Sequence, residues 1–438
     1  MSELPKGWIS AEIGELCNLI NGRAFKPQDW GEEGLPIIRI QNLNRPDASF
    51  NYFNGELDPR HLVNPGQLLF AWSGTPGTSF GAHVWKGQQA ALNQHIFKID
   101  FEENKINKTF FRHAINQKLD GLIASAQGGV GLRHVTKGTF ERTPIALPPV
   151  AEQKRIAQKL DALLAQVDAL KARIEAIPAL IKRFRQRVLA SAISGELNGA
   201  AFSATAKLGD VGEVTGGITK NSRRTELPLT VPYLRVANVQ SGFFDLKEIS
   251  QIGVTEQEAE KTNLKAGDIL IVEGNGSVEH IGRAAMWKGQ IDGCSHQNHL
   301  IRWRSNGAVL PDFVMLYLAS PQGRSDLISA SKSTNGLHTL SISKVSALRI
   351  PLAEPDQQEE IVRRVEQLFS FADQLETKVT TAQQRINTLT QSLLAKAFRG
   401  ELAAQDPNDE PASTLLERIR AQRAADPKPK RGRTSAIG

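Results

Sequence analysis

The chain has 438 residues, of which 40% are hydrophobic and 23% charged, an ordinary globular composition too long for one core and suited to two or three domains. Fifty-three Lys and Arg against forty-six Asp and Glu leave a formal charge of +7, a mild excess compatible with a polyanionic partner without requiring one. Two cysteines, Cys17 and Cys294, exclude a disulfide scaffold, apolar runs such as 314–319 are too short to cross a bilayer, and residues 1–7 lack a secretion signal, so the expected compartment is the cytoplasm.

Residues 1–147 read as a strand-rich globule, with short β-prone runs between Gly, Asn and Pro turns and one helix expected over 108–119. Over 148–200 the pattern turns helical. Ile156, Leu160, Leu163, Val167, Leu170, Ile174, Ile177, Ile181, Phe184 and Val188 step by threes and fours. That is a narrow apolar seam between charged flanks, as in a coiled coil. Pro148-Pro149 and Gly195 stand as start and stop signals, and Pro178 is expected to kink the helix or split it in two.

Residues 201–350 form a second strand-rich globule, with a helix expected over 312–319. It repeats the first: Asn21-Gly22 returns as Gly216-Gly217, Ile38-Arg39-Ile40 as Leu234-Arg235-Val236, and Asn42 as Asn238. Trp85-Lys86-Gly87 returns as Trp287-Lys288-Gly289, and Gln94-His95-Ile96 as Asn298-His299-Leu300. Residues 351–403 form a second long helix with its seam at Ile361, Val365, Leu368, Ala372, Leu375, Val379, Ala382, Ile386, Leu389 and Leu393. It aligns with the first helix without a gap, Gln153 on Gln358 and Leu197 on Leu402, a step of 402 − 197 = 205 residues. The tail, 404–438, holds a short helix over 412–424 and a basic end expected to be disordered.

This order predicts an α+β chain: two strand-rich globular domains separated by two long helices packed as an antiparallel coiled coil, a pseudo-two-fold internal repeat. A duplicated module on a rigid spacer suits a ligand with two half-sites, and duplex DNA is the obvious one.

The junction Pro144-Ile145-Ala146-Leu147-Pro148-Pro149-Val150-Ala151-Glu152-Gln153-Lys154-Arg155-Ile156 resembles that of the specificity subunits of type I restriction–modification systems. The second junction, from Arg349 to Ile361, resembles it with the Pro-Pro replaced, and the helix ends and the 406–413 segment are similar too. The resemblance implies that each globule is a target-recognition domain reading half of a split, asymmetric DNA site. It also implies that the helices set the spacer and dock two adenine methyltransferase subunits, which restriction–translocase subunits join. S-adenosylmethionine, ATP and magnesium would then be bound by those other chains. This chain would be non-catalytic, with no cofactor, metal or membrane of its own, and half-site centres are expected on the order of 10 base pairs apart.

The chemical motifs agree. There is no Gly-Lys-Ser/Thr phosphate loop and no Asn/Asp-Pro-Pro-Tyr/Phe segment. Glu152-Gln153-Lys154 has nuclease-like spacing but opens a coiled-coil helix, and Ser73 and Ser277 lack a nucleophile elbow. Cys294, His296 and His299 form a compact group for which the spacing suggests no fourth zinc ligand. Two rival readings are a self-contained DNA-acting enzyme, which requires a catalytic cluster, and a coiled-coil adaptor for proteins, which leaves the diverged modules unexplained.

DNA reading requires cations for phosphate and side chains matched to base edges. In the first module the candidates are Arg23, Lys26, Asn42, Trp72, Ser73, Gln94, His95, Arg133 and His134. In the second they are Lys220, Arg223, Arg224, Asn238, Asn275, Asn298, His299, Lys332 and Asn335, with Lys220, Arg223 and Arg224 as the expected phosphate clamp. Arg39 and Arg235 fit scaffold or DNA contact equally, Gln94 with His95 fits a buried pair as well as a reader, and Asn275 between glycines fits a hairpin. Lys171, Arg173, Lys182, Arg183, Arg185 and Arg187 read as a solvated helix face, or as a strip facing the DNA spacer or an acidic methyltransferase surface.

Overall fold

The structure is a computed structural model that describes residues 4–45, 48–74, 80–124, 133–199, 202, 204–334 and 337–425. The chain forms two compact units, Met1–Ala172 with Gln383–Gly438, and Arg173–Ala382. Each holds one strand-rich module and a stretch of each long helix.

In the first module a four-stranded antiparallel sheet runs in the order Asn18–Asn21, Ile96–Asp100, Leu68–Ala71, Gly81–Val84. Leu68–Ala71 is apolar at every position because both of its faces are covered. Leu68 and Phe70 pack with Phe97, Phe110 and Phe111 against the helix Lys108–Gln117, while Leu69 faces Ile38, Val63, Trp85 and Leu92 on the other side. A second sheet, in the order Asn51–Phe53, Leu35–Ile38, Ala90–Leu92, Leu62–Val63, lies on that other side. Ile9–Glu12 pairs with Pro144–Leu147, so the module's entry and exit strands are neighbours.

The second module repeats this order: Gly212–Gly216, Leu300–Ser305, Ile269–Val272, Ala284–Met286 in one sheet, with Ala204–Lys207 pairing Arg349–Leu352. Its second sheet keeps three strands, Ser250–Val254, Leu229–Leu234 and Ser295–His296. Each sheet buries a cation at the same register. Lys98, opposite Leu69, donates to the Leu62 carbonyl at 2.9 Å; Arg302, opposite Leu270, donates to the Lys261 carbonyl at 3.0 Å.

The long helices are Val150–Ser194 and Pro355–Phe398. Each is locked to its module by a wholly buried glutamine near its start. Gln153 accepts the Asn107 N–H at 2.9 Å and donates to the Pro148 carbonyl at 3.0 Å. Gln358 accepts the Leu310 N–H at 2.7 Å and donates to the Ala353 carbonyl at 2.8 Å. Within the first unit Ile156 and Leu160 pack with Leu394, Ala397 and Phe398; within the second, Val188 and Ala192 pack with Ile361 and Val365. In both, the start of one helix meets the end of the other, as antiparallel packing requires.

Of the two outcomes expected at Pro178, a kink or a split, the split is excluded: the first helix runs unbroken through it, with its seam buried on either side at Val167 and Ile181. One expectation is corrected. Leu170, Phe184 and Leu389, placed in the seams, are exposed. Among the described residues, no helix is long and apolar enough to cross a membrane.

The tail helix, Ala412–Ala425, buries Leu415, Leu416 and Ile419 in the first unit's core beside Trp8, Ile13 and Leu16. Arg420 pairs with Glu15 at 2.6 Å, and Arg423 donates to the carbonyls of Gly14 and Cys17. The basic end beyond 425 lies outside the described residues.

Candidate nucleic-acid interface

The central strand of each main sheet runs out into the same backbone frame. After Leu68–Ala71, Trp72 donates its N–H to the His95 carbonyl at 3.3 Å, and its own carbonyl accepts the Val135 N–H at 2.9 Å. After Ile269–Val272, Glu273 donates to the His299 carbonyl at 3.0 Å and accepts from Leu340 at 2.7 Å. Ser73–Gly74 then pairs with Arg133–His134, and Gly274–Asn275 with His338–Thr339. A glycine makes room for the histidine strand in each copy: a Cβ on Gly22 would sit 2.0 Å from the Asn93 carbonyl oxygen, and one on Gly217 2.1 Å from that of His296.

On this shared frame the side chains differ. In the first module the Trp72 ring stacks on Phe97 and lies 5.4 Å from the His95 ring and 5.9 Å from that of His134. His134 Nδ1 meets the buried Ser73 hydroxyl at 2.9 Å, and Gln94 is 3.3 Å from His95 Nε2. The Trp72 indole N–H and His95 Nδ1 are buried without a hydrogen-bond partner. Burial holds the His95 ring below the ordinary imidazole range, and charge on His134 pushes the same way. Trp72, Ser73, Gln94, His95 and His134 thus converge. In the second module His299 Nδ1 pairs with Glu273 at 2.7 Å, Asn298 donates its N–H to the Ile218 carbonyl at 3.0 Å, and no aromatic ring replaces Trp72.

The basic loops leave beside this frame, from one-residue bridges of Arg23 to Asn93 and Ile218 to Gln297. Lys26, Lys220 and Arg223 are exposed on them. Arg224, expected in a phosphate clamp, is instead engaged within the module: it donates to both carboxylate oxygens of Glu258, at 2.8 and 3.0 Å, and to the carbonyls of Thr219 and Gly253. Arg23 likewise serves the framework, over the rings of Phe25 and Phe53 and 3.8 Å from Asp29.

Asn42 and Asn238 are also corrected. Both are buried; each accepts the N–H of the arginine three residues earlier and donates both amide hydrogens to loop carbonyls, so no donor is left for a base edge. Arg39 lies 5.9 Å from the Trp30 ring and Arg235 3.8 Å from Glu248. The side chains of Arg133, Asn275 and Lys332, and all of Asn335, lie outside the described residues. On the helices, Arg185 is taken by Asp373 at 2.6 Å and Glu376 at 3.3 Å.

Cys294, His296 and His299 do not assemble into a metal-binding group. Burial pushes the Cys294 thiol up to about 12 and the fully buried His296 ring down to about 3, while His299 turns to Glu273.

The sequence candidates do not include His338, whose strand pairs with Gly274–Asn275. The signal was present: Gly131-Leu132-Arg133-His134-Val135-Thr136 returns as Gly336-Leu337-His338-Thr339-Leu340-Ser341, a step of 336 − 131 = 205 residues, the same as between the long helices. Thr136 and Ser341 each cap the following short helix, accepting N–H groups at 3.2 and 3.3 Å.

The type I restriction modification DNA specificity domain matches residues 5–179 and again 203–383. The chain is 34% identical to the type I restriction enzyme EcoBI specificity subunit of Escherichia coli, over 95% of this chain and 93% of that one. It is 33% identical to the EcoKI specificity subunit of Escherichia coli (strain K12), over 97% of each chain. It is 32% identical to the StySPI specificity subunit of Salmonella potsdam, over 99% of each. The fold is that of the HsdS subunit from Thermoanaerobacter tengcongensis, with a TM-score of 0.59 at 18% identity over 91% of this chain and 98% of that one. A chain from a structure of the type I R-M system, solved for its complex assembly and conformational transition, gives 0.63 at 18% identity, over 92% and 100%. With its domain matched twice and relatives matched nearly end to end, the chain belongs to the family of type I restriction–modification specificity subunits.

Proposed function

We propose that this chain recognises a bipartite, asymmetric DNA site, one half with each module, and directs adenine-N6 methylation and restriction carried out by other subunits. The observation that carries this reading is one backbone frame, built twice, presenting Trp72 in one copy and Glu273 in the other. Different side chains at the tips of a repeated frame are what reading two different half-sites requires. Glu273, acceptor-only when ionised, suits the exocyclic amino group of a cytosine; Trp72 offers an apolar ring edge suited to a thymine methyl. Lys26, Lys220 and Arg223 stand beside the frames as phosphate contacts. The long helices set the distance between half-sites and dock two methyltransferase subunits, to which restriction subunits add. S-adenosylmethionine, ATP and magnesium belong to those partners, and the complex works in the cytoplasm.

Methylome sequencing of the host with and without this gene, keeping the neighbouring methyltransferase gene intact and expressed, tests the reading. N6-methyladenine should vanish from one bipartite motif of fixed spacer in the deletion. Persistence of that motif would place recognition in another chain and favour a protein-adaptor role.

A further inference from the structure

The first unit contains a cleft of about 570 Å³ away from the reading frames, where residues 6–9, the start of the first long helix and residues 405–413 come together. Glu152 lines it and is 1% exposed. Its Oε2 accepts the Trp8 indole N–H at 3.0 Å, while Oε1 is buried without a hydrogen-bond partner. Asp406 and Asp409 add carboxylates to the lining, Asp409 being paired with Arg155, and Pro149, Pro407 and Pro411 supply stiff apolar walls. Burial holds the Glu152 carboxyl above the ordinary carboxylate range, against the pull of Trp8, Gln405 and Arg155.

A carboxyl stripped of water and given too few donors is costly to keep. The fold does not demand it. The second copy carries Gln357 at this position, 152 + 205 = 357, where its Oε1 accepts the Glu354 N–H at 3.2 Å. The acid is therefore peculiar to one end of the repeat. A nucleic-acid backbone would be repelled by the cleft's carboxylates, and the described residues form no metal-binding group. Lys6 lines the cleft but is exposed, so what the cleft lacks is a buried cation with several donors that tolerates apolar walls. A guanidinium is planar, always charged and weakly hydrated, which suits it to such a place.

We propose that this cleft receives an arginine side chain of a partner protein subunit, whose guanidinium completes Glu152 and faces Asp406. The proposal rests on the reading of this chain as one subunit of an assembly, and it marks the two ends of the repeated scaffold as different docking sites.

The test uses the full chain co-expressed with the methyltransferase subunit encoded beside it. Binding of the two is measured by native mass spectrometry for the wild type, Glu152→Gln and Asp406→Asn, with melting temperature as the check on folding. Glu152→Gln keeps an acceptor for Trp8 and matches the residue of the second copy. Removing one partner of a buried charge pair is expected to weaken binding at least tenfold, while Asp406→Asn, nearer the solvent, weakens it less. A photo-reactive benzoylphenylalanine at Ser413 should cross-link to an arginine-containing peptide of the methyltransferase. If Glu152→Gln loses its fold, Asp406→Asn and the cross-link decide. Unchanged affinity in both variants, or no cross-link in an assembled complex, overturns the arginine site. The recognition reading then stands if that wild-type complex still methylates a bipartite motif. Failure of the wild-type pair to assemble or methylate sinks both.

Discussion

Trp72 and Glu273 occupy the same place on two copies of one frame, so on the proposed reading changing either should alter what is recognised and leave the frame in place. Glu273→Gln converts an acceptor into an acceptor and donor and replaces the carboxylate in the 2.7 Å hydrogen bond with His299 Nδ1. The expected outcome is a loss of discrimination of about 1–3 kcal/mol at one base position of one half-site, with the other half-site unchanged; competitive binding across a randomised site measures it. Arg224 behaves differently because its bonds are internal. Arg224 and the Thr255 N–H hold the Glu258 carboxyl down from 4.5 to about 2. A carboxylate depressed in the folded state contributes stability that is present above its unfolded pKa and lost as the pH falls through the folded one. The gap in melting temperature between the wild type and Arg224→Ala should therefore be full above about pH 4.5 and narrow toward pH 2, to the part held by the bonds to Thr219 and Gly253. A gap that stays constant would show that the pair contributes nothing. Arg224, Asn42 and Asn238 were chosen as DNA contacts because their residue types suit phosphate or bases. Type does not reveal whether a side chain's hydrogen bonds are already spent, and only the folded neighbourhood shows that they are.

Each long helix starts where it does because a glutamine ties its first turns to the module before it. Gln358 makes these bonds from a fully buried position, so Gln358→Leu leaves the Leu310 N–H and the Ala353 carbonyl without their partner. A loss of about 1–3 kcal/mol is expected in urea unfolding of the full chain, and Gln153→Leu should cost a similar amount in the first unit. Helix periodicity and the repeat were legible because they are carried by residues close together along the chain. The seam was overdrawn at Leu170, Phe184 and Leu389, since spacing marks a face but not whether a neighbour covers it. At Pro178 the helix runs on unbroken, because the local cost of a proline is outweighed by packing that its place in the sequence does not show.

At the scale of the whole molecule, the tail helix Ala412–Ala425 packs on residues near the start of the first module. The tail helix covers Trp8, Ile13 and Leu16, and Arg423 reaches Asn18, 405 residues away. Ending the chain after residue 403 removes the buried side chains of Leu415, Leu416 and Ile419, an expected loss of about 5 kcal/mol or more from the first unit. Hydrogen exchange should then show protection falling across residues 9–19 while the core strands of the second module keep theirs. Equal protection in the truncated and full chains would make the tail dispensable.

By itself the sequence determined the order of modules and helices, the duplication, the polar and basic residue types on the loops and the resemblance to one family. All of these are patterns of spacing and residue type, readable along the chain. Only the tertiary structure decided which strands pair, which asparagines and arginines are spent on the framework, that Glu273 and Trp72 share one position, and that the tail closes the first unit. These depend on contacts between segments tens to hundreds of residues apart, where burial and hydrogen bonding are settled by the partner rather than by the residue.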